Sequence, residues 1–105
     1  MFRSTITIVS SVLTFSTKEE FFEELNQYYP YVAFDNVFDV EVNESRVLNH
    51  STNLVNSTTV EQINDWDSEE SYNSFYNDIV NIGDNSYTDA LTAAGYTRTT
   101  VNETI

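Results

Sequence analysis

The 105-residue chain contains no cysteine, one proline and two glycines. The absence of cysteine excludes disulfide bonds, thiolate metal ligands and cysteine nucleophiles, and it leaves the redox compartment open. No glycine-rich phosphate loop and no serine–histidine–aspartate arrangement can be recognised. No cluster of histidine, aspartate or glutamate shows metal-ligand spacing. We therefore expect neither a metal site nor a bound cofactor.

Basic residues are also scarce, since Arg3, Lys18, Arg46 and Arg98 oppose 17 acidic residues and the net charge is −13. A chain without a basic patch cannot hold nucleic acid by its phosphates, and it is not attracted to an anionic membrane. We expect no nucleic-acid partner and no membrane partner. The acidic surface favours solubility, as in a salt-rich marine habitat; the weaker alternative is an acidic interaction protein or DNA mimic.

The first 15 residues are apolar but are interrupted repeatedly by serine and threonine. A secretory signal peptide has a denser apolar run and a cleavage site with small residues, so this segment is predicted to be a strand. It is too short and too polar to span a membrane. We interpret the chain, 1–105, as a single cytoplasmic domain.

The most informative segment joins a strand, a tryptophan and a helix. Residues Thr58–Asp65 favour a strand that leads into Trp66, and Asp67 or Ser68 is placed to cap the helix that follows. This helix is predicted over Ser68–Ile82 and to end at Gly83. Its apolar stripe follows the helical period and consists of Tyr72, Phe75, Tyr76, Ile79 and Val80.

Other patterns complete an alternating order of strands and helices. Strand one is predicted over Thr5–Phe15 with apolar residues on both faces, which requires a cover on both. A capping box over 16–19 begins helix one, which Pro30 ends. Strand two is predicted over Val37–Asn43, while Val47–Asn56 is either an edge strand or a loop. A short helix, Tyr87–Ala94, ends at Gly95, and the last strand covers Tyr96–Ile105.

The predicted order, β-α-β-β-α-(α)-β, indicates an α+β fold of ferredoxin-like type, with an antiparallel sheet and helices on one face. The helix FFEELNQYY, the junction INDWDSEESYNSF and the β-rich tail resemble the dimeric ferredoxin-like α+β-barrel proteins of the antibiotic-biosynthesis-monooxygenase superfamily. The resemblance implies a homodimer whose sheets pack face to face. It also implies a cleft between sheet and helices that holds hydrophobic molecules.

Enzymes of this superfamily tend to use a tryptophan with an asparagine, and sometimes a histidine or arginine nearby. Trp66 matches the tryptophan that commonly ends the third strand. The second long helix has no histidine, so the resemblance gives no support to haem ligation. Candidate catalytic residues are therefore Trp66 and the one histidine, His50. Candidate ligand-binding residues are Tyr28, Phe38, Trp66, Tyr72, Phe75, Tyr76 and Arg98.

Each candidate also has a structural interpretation. A histidine in a polar segment is more often solvated than catalytic, and a tryptophan is more often part of the core. The tyrosines can fill the core, and Arg98 can form an ion pair. The sequence therefore favours a protein that binds a fatty-acid-like or polyketide-like molecule. The alternative is a cofactor-independent monooxygenase acting on an aromatic substrate.

Overall fold

The computed structural model describes residues 1–25, 27, 39–81 and 86–105. The elements in chain order are β1 (Phe2–Ser10), α1 (Lys18–Leu25), α2 (Asp39–Asn43), β2 (Val47–Asn56), β3 (Thr59–Trp66), α3 (Glu69–Asn81), α4 (Ser86–Ala93) and β4 (Tyr96–Thr104). The strands form an antiparallel sheet in the order β2-β3-β1-β4. The predicted α+β, ferredoxin-like class is confirmed.

The helices contact one face of the sheet, which we call the inner face. Alternate residues of β1 from Phe2 to Ser10 are buried there, as the two-residue period of a strand requires. Phe21 of α1 packs against Tyr96 of β4 with ring centroids 6.0 Å apart, and Phe75 of α3 packs against Trp66 of β3 at 5.2 Å. The opposite, outer face begins with Arg3 on β1.

Strand β1 is shorter than predicted. The chain turns after Ser10, whose Oγ accepts a hydrogen bond from the Leu13 amide at 3.0 Å. Val12 and Leu13 are therefore exposed in a loop, and Phe15 packs in the core against Phe21 at 4.4 Å. The prediction placed apolar residues on both faces of this strand. On the outer face of β1, Val9 is the one apolar residue.

Both long helices begin with side-chain caps. Thr17 caps α1, one residue later than the predicted capping box over 16–19: the Glu20 amide donates to Thr17 Oγ1 at 3.2 Å. At the start of α3, the Ser71 amide donates to Ser68 Oγ at 3.2 Å. These contacts satisfy amide groups that the first helical turn leaves free.

The predicted strand Val37–Asn43 is wrong where the structure describes it. Residues 37 and 38 lie outside the described part, and Asp39–Asn43 form α2. The helix ends with Ser45 at a φ of 60° and the Arg46 amide bonded to the Glu41 carbonyl at 2.9 Å. The Arg46 side chain pairs with both Glu41 and Glu44. These contacts at the end of α2 stabilise the helix. The alternating apolar and polar residues over 39–43 pair with no strand in the described part of the chain.

Residues Val47–Asn56, which the sequence left open, form the edge strand β2. The register shifts between Val47 and Asn49 and again between Leu54 and Asn56. Each shift inserts one extra residue, Leu48 or Val55, and both side chains are exposed. The bulges explain why apolar residues come in adjacent pairs here and not in alternation.

The outer face carries a cross-strand ion pair. Arg3 binds both carboxylate oxygens of Asp65, at 2.7 and 3.0 Å, and the Asn49 amide donates to the same carboxylate at 3.3 Å. The Arg3 hydrogen bonds lower the pKa of Asp65, although its burial acts in the opposite direction. The residue is 3% exposed, so a bidentate partner compensates for the loss of water.

Gly95 is expected to be required at the junction of α4 and β4. Its φ is +95°, and an added Cβ would lie 2.8 Å from Val12 Cγ1. Gly95→Ala should therefore lower the free energy of unfolding by about 1–3 kcal/mol in urea titrations. Adding Val12→Ala should recover only part of this loss, because it relieves the contact and not the dihedral strain. An unchanged midpoint in Gly95→Ala would contradict the assignment.

Asp65→Asn is expected to lower stability at pH 7. The stabilisation from a carboxylate with a lowered pKa is complete above the ordinary carboxyl pKa of about 4 and is lost as the pH falls through the lower folded value. The difference between wild type and variant should therefore shrink between pH 7 and pH 3 in urea titrations. Glu61→Gln, on the same face of β3 without an ion pair among the described residues, is the matched control. Equal behaviour of the two variants would argue against the prediction.

Candidate functional site

The inner face of β3 is polar in its middle. Alternation along this strand places Val60, Gln62, Asn64 and Trp66 on one face, and all four are 0% exposed. The partner strand β1 opposes Asn64 with Ser4 and Gln62 with Ile6. A hydrophobic core needs no amides at such positions, since each buried polar group requires a hydrogen-bond partner.

An aromatic cluster lies at the α3 end of this face. It consists of Phe2, Trp66, Tyr72 and Phe75. The ring of Tyr72 lies 5.0 Å from that of Phe2 and 5.9 Å from that of Trp66, with the Trp66 and Tyr72 planes nearly perpendicular. The structure thus brings together three of the predicted ligand-binding residues, and it places Trp66 in the core.

Next to the aromatic cluster, a row of polar side chains crosses the whole sheet. In register from edge to edge, this polar row is His50 on β2, Asn64 on β3, Ser4 on β1 and Asn102 on β4. Asn64 Oδ1 lies 2.5 Å from a His50 ring nitrogen, and its amide donates to Gln62 at 3.3 Å. Asn102 donates to the Tyr72 hydroxyl at 2.9 Å. The row is therefore linked to the aromatic cluster through Tyr72.

His50 lies in a strand and faces inward, which settles the orientation that the sequence left open. Because Asn64 Oδ1 accepts, the Nδ1 of His50 carries the hydrogen in this contact. Asn64 precedes Trp66 by two residues on the same face of β3. His50 is therefore positioned by Asn64, which lies next to Trp66 on the inner face of β3.

The inner face is covered over β1, β3 and the start of β4 at Tyr96, but it is open along the rest of β4. Ser4 and Ile6 are buried, whereas Asn102 and Thr100, their neighbours on β4, are exposed although they face the same way. The Tyr72 hydroxyl reaches Asn102 across this opening. We call the strip of β4 from Arg98 to Asn102 the mouth of the site.

Arg98 lies at one end of the mouth, in register with Ile8. Arg3 and Arg46 form ion pairs, but Arg98 has no acidic partner in the part of the chain that the structure describes. The predicted structural ion pair is therefore not found there. Asn102 lies four positions after Arg98, about 13 Å along the strand, so Arg98 is not brought together with the aromatic cluster.

The side chains of three predicted site residues lie outside the part of the chain that the structure describes. Tyr28 and Phe38 lie outside the described residues, and of Tyr76 only the backbone, within α3, is described. Sequence reasoning missed Ser4, Gln62, Asn64 and Asn102. One signal was present: polar residues at two-residue spacing before Trp66 fall on the same strand face as the tryptophan.

A separate groove of about 310 Å³ lies outside this site, between α1 and the loop after β1. It is lined by Leu13, Thr14, Phe15, Glu20, Glu23, Glu24 and Gln27. Within the described ranges, no group of three or more histidine, aspartate or glutamate side chains is arranged to hold a metal ion. No helix in those ranges is long and apolar enough to cross a membrane.

No protein-family model and no curated protein matches the chain. A dimeric ferredoxin-like protein from an uncultured marine organism matches its structure with a TM-score of 0.64 at 16% identity, over 99% of this chain and 94% of that one. A candidate antibiotic biosynthesis monooxygenase from Deinococcus radiodurans gives 0.57 at 15% identity, over 100% and 92%. An antibiotic biosynthesis monooxygenase gives 0.52 at 13% identity, over 100% and 98%.

These likenesses confirm the resemblance inferred from the FFEELNQYY helix and the Trp66 junction. The chain has the fold of the dimeric ferredoxin-like structures and of the antibiotic-biosynthesis-monooxygenase type. Structural similarity at sequence identities of 13–16% shows the fold alone, so any activity has to be argued from the residues of the site.

Proposed function

We propose that the protein binds an elongated hydrophobic acid, fatty-acid-like or polyketide-like, between the inner face of the sheet and the helices. The main support for this proposal is the position of Arg98 and its lack of an acidic partner in the described part of the chain. In a chain with 17 acidic residues, this arginine has no acidic partner among the described residues, yet it stands at the mouth of the inner face. A guanidinium in such a position suits a carboxylate, which it can bind through two parallel hydrogen bonds.

The surroundings of Arg98 support a ligand with an apolar body. Its neighbours in register are Ile8 on β1 and Val60 on β3, and both are 0% exposed. From there the inner face continues through Ile6 to the aromatic cluster. A cation beside apolar surface favours an amphiphilic molecule, because small-molecule sites combine an apolar lining with a few oriented polar groups.

The proposal includes a homodimer formed through the outer face. Val9 and Val101 are exposed on this face, and a protein of the same fold is described as dimeric. Arg3 and Asp65 already pair within one chain, so a second copy can cover them without leaving either charge alone. A native mass spectrum tests this part: we expect a dimer carrying a few hundred daltons of extra mass that denaturation releases. A strict monomer would overturn it.

Arg98→Gln is expected to weaken binding of dodecanoic acid about tenfold in isothermal titration calorimetry, since it removes a charge-assisted contact. Arg98→Lys should lose less, because it keeps the charge. The matched control is Arg46→Gln, which makes the same change of charge away from the inner face. Dodecanol should bind wild type and Arg98→Gln equally. An unchanged affinity of Arg98→Gln for the acid would remove the main support of the proposal.

A cofactor-independent monooxygenase acting on an electron-rich aromatic substrate is the second candidate. The observation that favours it is the hydrogen bond between His50 and Asn64, two residues before Trp66. This is a tryptophan, asparagine and histidine set of the kind that the resemblance implies. In this function Trp66 stacks on the substrate, and His50 moves its proton.

Oxygen uptake after addition of a naphthalene diol tests the second candidate. We expect uptake above the protein-free rate, and its loss in Trp66→Phe. Phe75→Leu is the control, because it also reduces the aromatic cluster but keeps the tryptophan; circular dichroism checks that both variants fold. Uptake at the protein-free rate in wild type would argue against the enzyme.

A further inference from the structure

Ser4 occupies the centre of the polar row with a hydroxyl that nothing satisfies. It is 0% exposed, and its Oγ has no hydrogen-bond partner among the residues that the structure describes. Buried hydroxyl groups are nearly always paired, and an exception in a folded protein calls for an explanation. Leaving one unpaired removes its hydrogen bonds to water and returns none.

The neighbours of Ser4 direct their own hydrogen bonds elsewhere. Asn64 uses its oxygen for His50 and its amide for Gln62. Asn102 donates to Tyr72. Along β1 the adjacent inner-face residues are Phe2 and Ile6, which offer no polar side-chain atom. The amide side chains in register with Ser4 on β3 and β4 therefore have hydrogen-bond partners of their own, and the Ser4 hydroxyl has none among the described residues.

Ser4 is also close to the mouth. It pairs with the exposed Asn102 on the adjacent strand, at the usual separation of about 4.8 Å between strands. Only the hydrogen bond between Asn102 and the Tyr72 hydroxyl crosses this position among the described contacts at the mouth. Ser4 is 0% exposed, so contact with a ligand that lies along β4 from Arg98 requires this bond to open.

We infer that the far end of the ligand carries a hydroxyl or carbonyl oxygen that hydrogen-bonds to Ser4, so that the site selects oxygenated acids over plain hydrocarbon chains. The inference rests on the proposed binding function and narrows its ligand class. An acid group at Arg98 and an oxygen at Ser4 lie about four residues apart along the sheet, on the order of 13 Å. A hydrocarbon end would leave Ser4 unpaired and would bury Asn64 and Gln62 against apolar atoms.

The test compares dodecanoic acid with the same acid hydroxylated at its terminal carbon, by calorimetry on wild type and Ser4→Ala. Wild type should bind the hydroxylated acid more tightly. Ser4→Ala should reduce the ratio of the two affinities about tenfold, because a buried hydroxyl without a partner opposes binding. The unliganded Ser4→Ala variant should melt no lower than wild type, since it loses an unpaired buried hydroxyl.

Ser10→Ala is the matched control, with the same chemical change on the same face of β1. Ser10 is buried, but its hydroxyl accepts hydrogen bonds from the Val12 and Leu13 amides. This variant should melt at a lower temperature than wild type and keep the preference for the hydroxylated acid.

The outcomes separate the two proposals. Binding of both acids with a ratio that Ser4→Ala does not change overturns this inference and leaves the binding function intact, as does a preference of wild type for the plain acid. Binding of neither acid overturns the proposed function and this inference with it. A Ser4→Ala variant that unfolds more readily than Ser10→Ala would identify Ser4 as a structural residue and overturn the inference.

Discussion

The register between β1 and β3 is the constraint on which the rest of the structure depends. Contacts on both faces of the sheet fix this register at one end of the two strands. Phe2 opposes Trp66 on the inner face, and Arg3 opposes Asp65 on the outer face. A slip of one residue would turn Trp66 outward and Asp65 into the core, so both contacts reject it. The alignment of Ser4 with Asn64 at the centre of the site is a consequence of this register.

The same register divides the inner face into regions of different chemistry. The aromatic cluster and the apolar positions around Ile8 supply the burial that stabilises a chain of this size. The polar row between them buries the Asn64 amide and the Ser4 hydroxyl where leucine or valine would be more stable. Such positions usually mark function, because selection for stability alone would not retain them. Neighbouring rows of the same sheet therefore serve different purposes: the apolar rows stabilise the fold, and the polar row is suited to recognition.

Local patterns predicted much of the fold. The helix after Trp66, a cap at Asp67 or Ser68 and the end of a helix at Gly95 were all predicted from short-range rules, and the structure places the cap at Ser68. The β2 segment stayed ambiguous because two bulges break its period. Asp39–Asn43 was predicted as part of a strand because its apolar and polar residues alternate, and five residues are too few to show a helical period instead. Trp66, Tyr72 and Phe75 were expected in one place, and they are found together.

The polar row was not predictable in the same way. Its four members come from four strands, and their proximity depends on pairings between residues up to 98 positions apart in sequence, as for Ser4 and Asn102. A single sequence shows that Asn64 lies on the face of Trp66, but it does not show what lies opposite. The orientation of His50 was left open because the register of its segment was ambiguous, and the pairing of β2 with β3 turns it inward.

The two bulges of β2 have a consequence for how copies of the chain meet. An unpaired strand at the margin of a sheet is a template for intermolecular pairing, and regular, flat margins are the source of fibrillar aggregation. Here the regular part of that margin is limited to the residues between Leu48 and Val55, and four of these six residues are asparagine, serine or threonine. Lateral addition of a strand at the β2 edge is thereby discouraged by the backbone, in addition to the repulsion that the net charge of −13 provides.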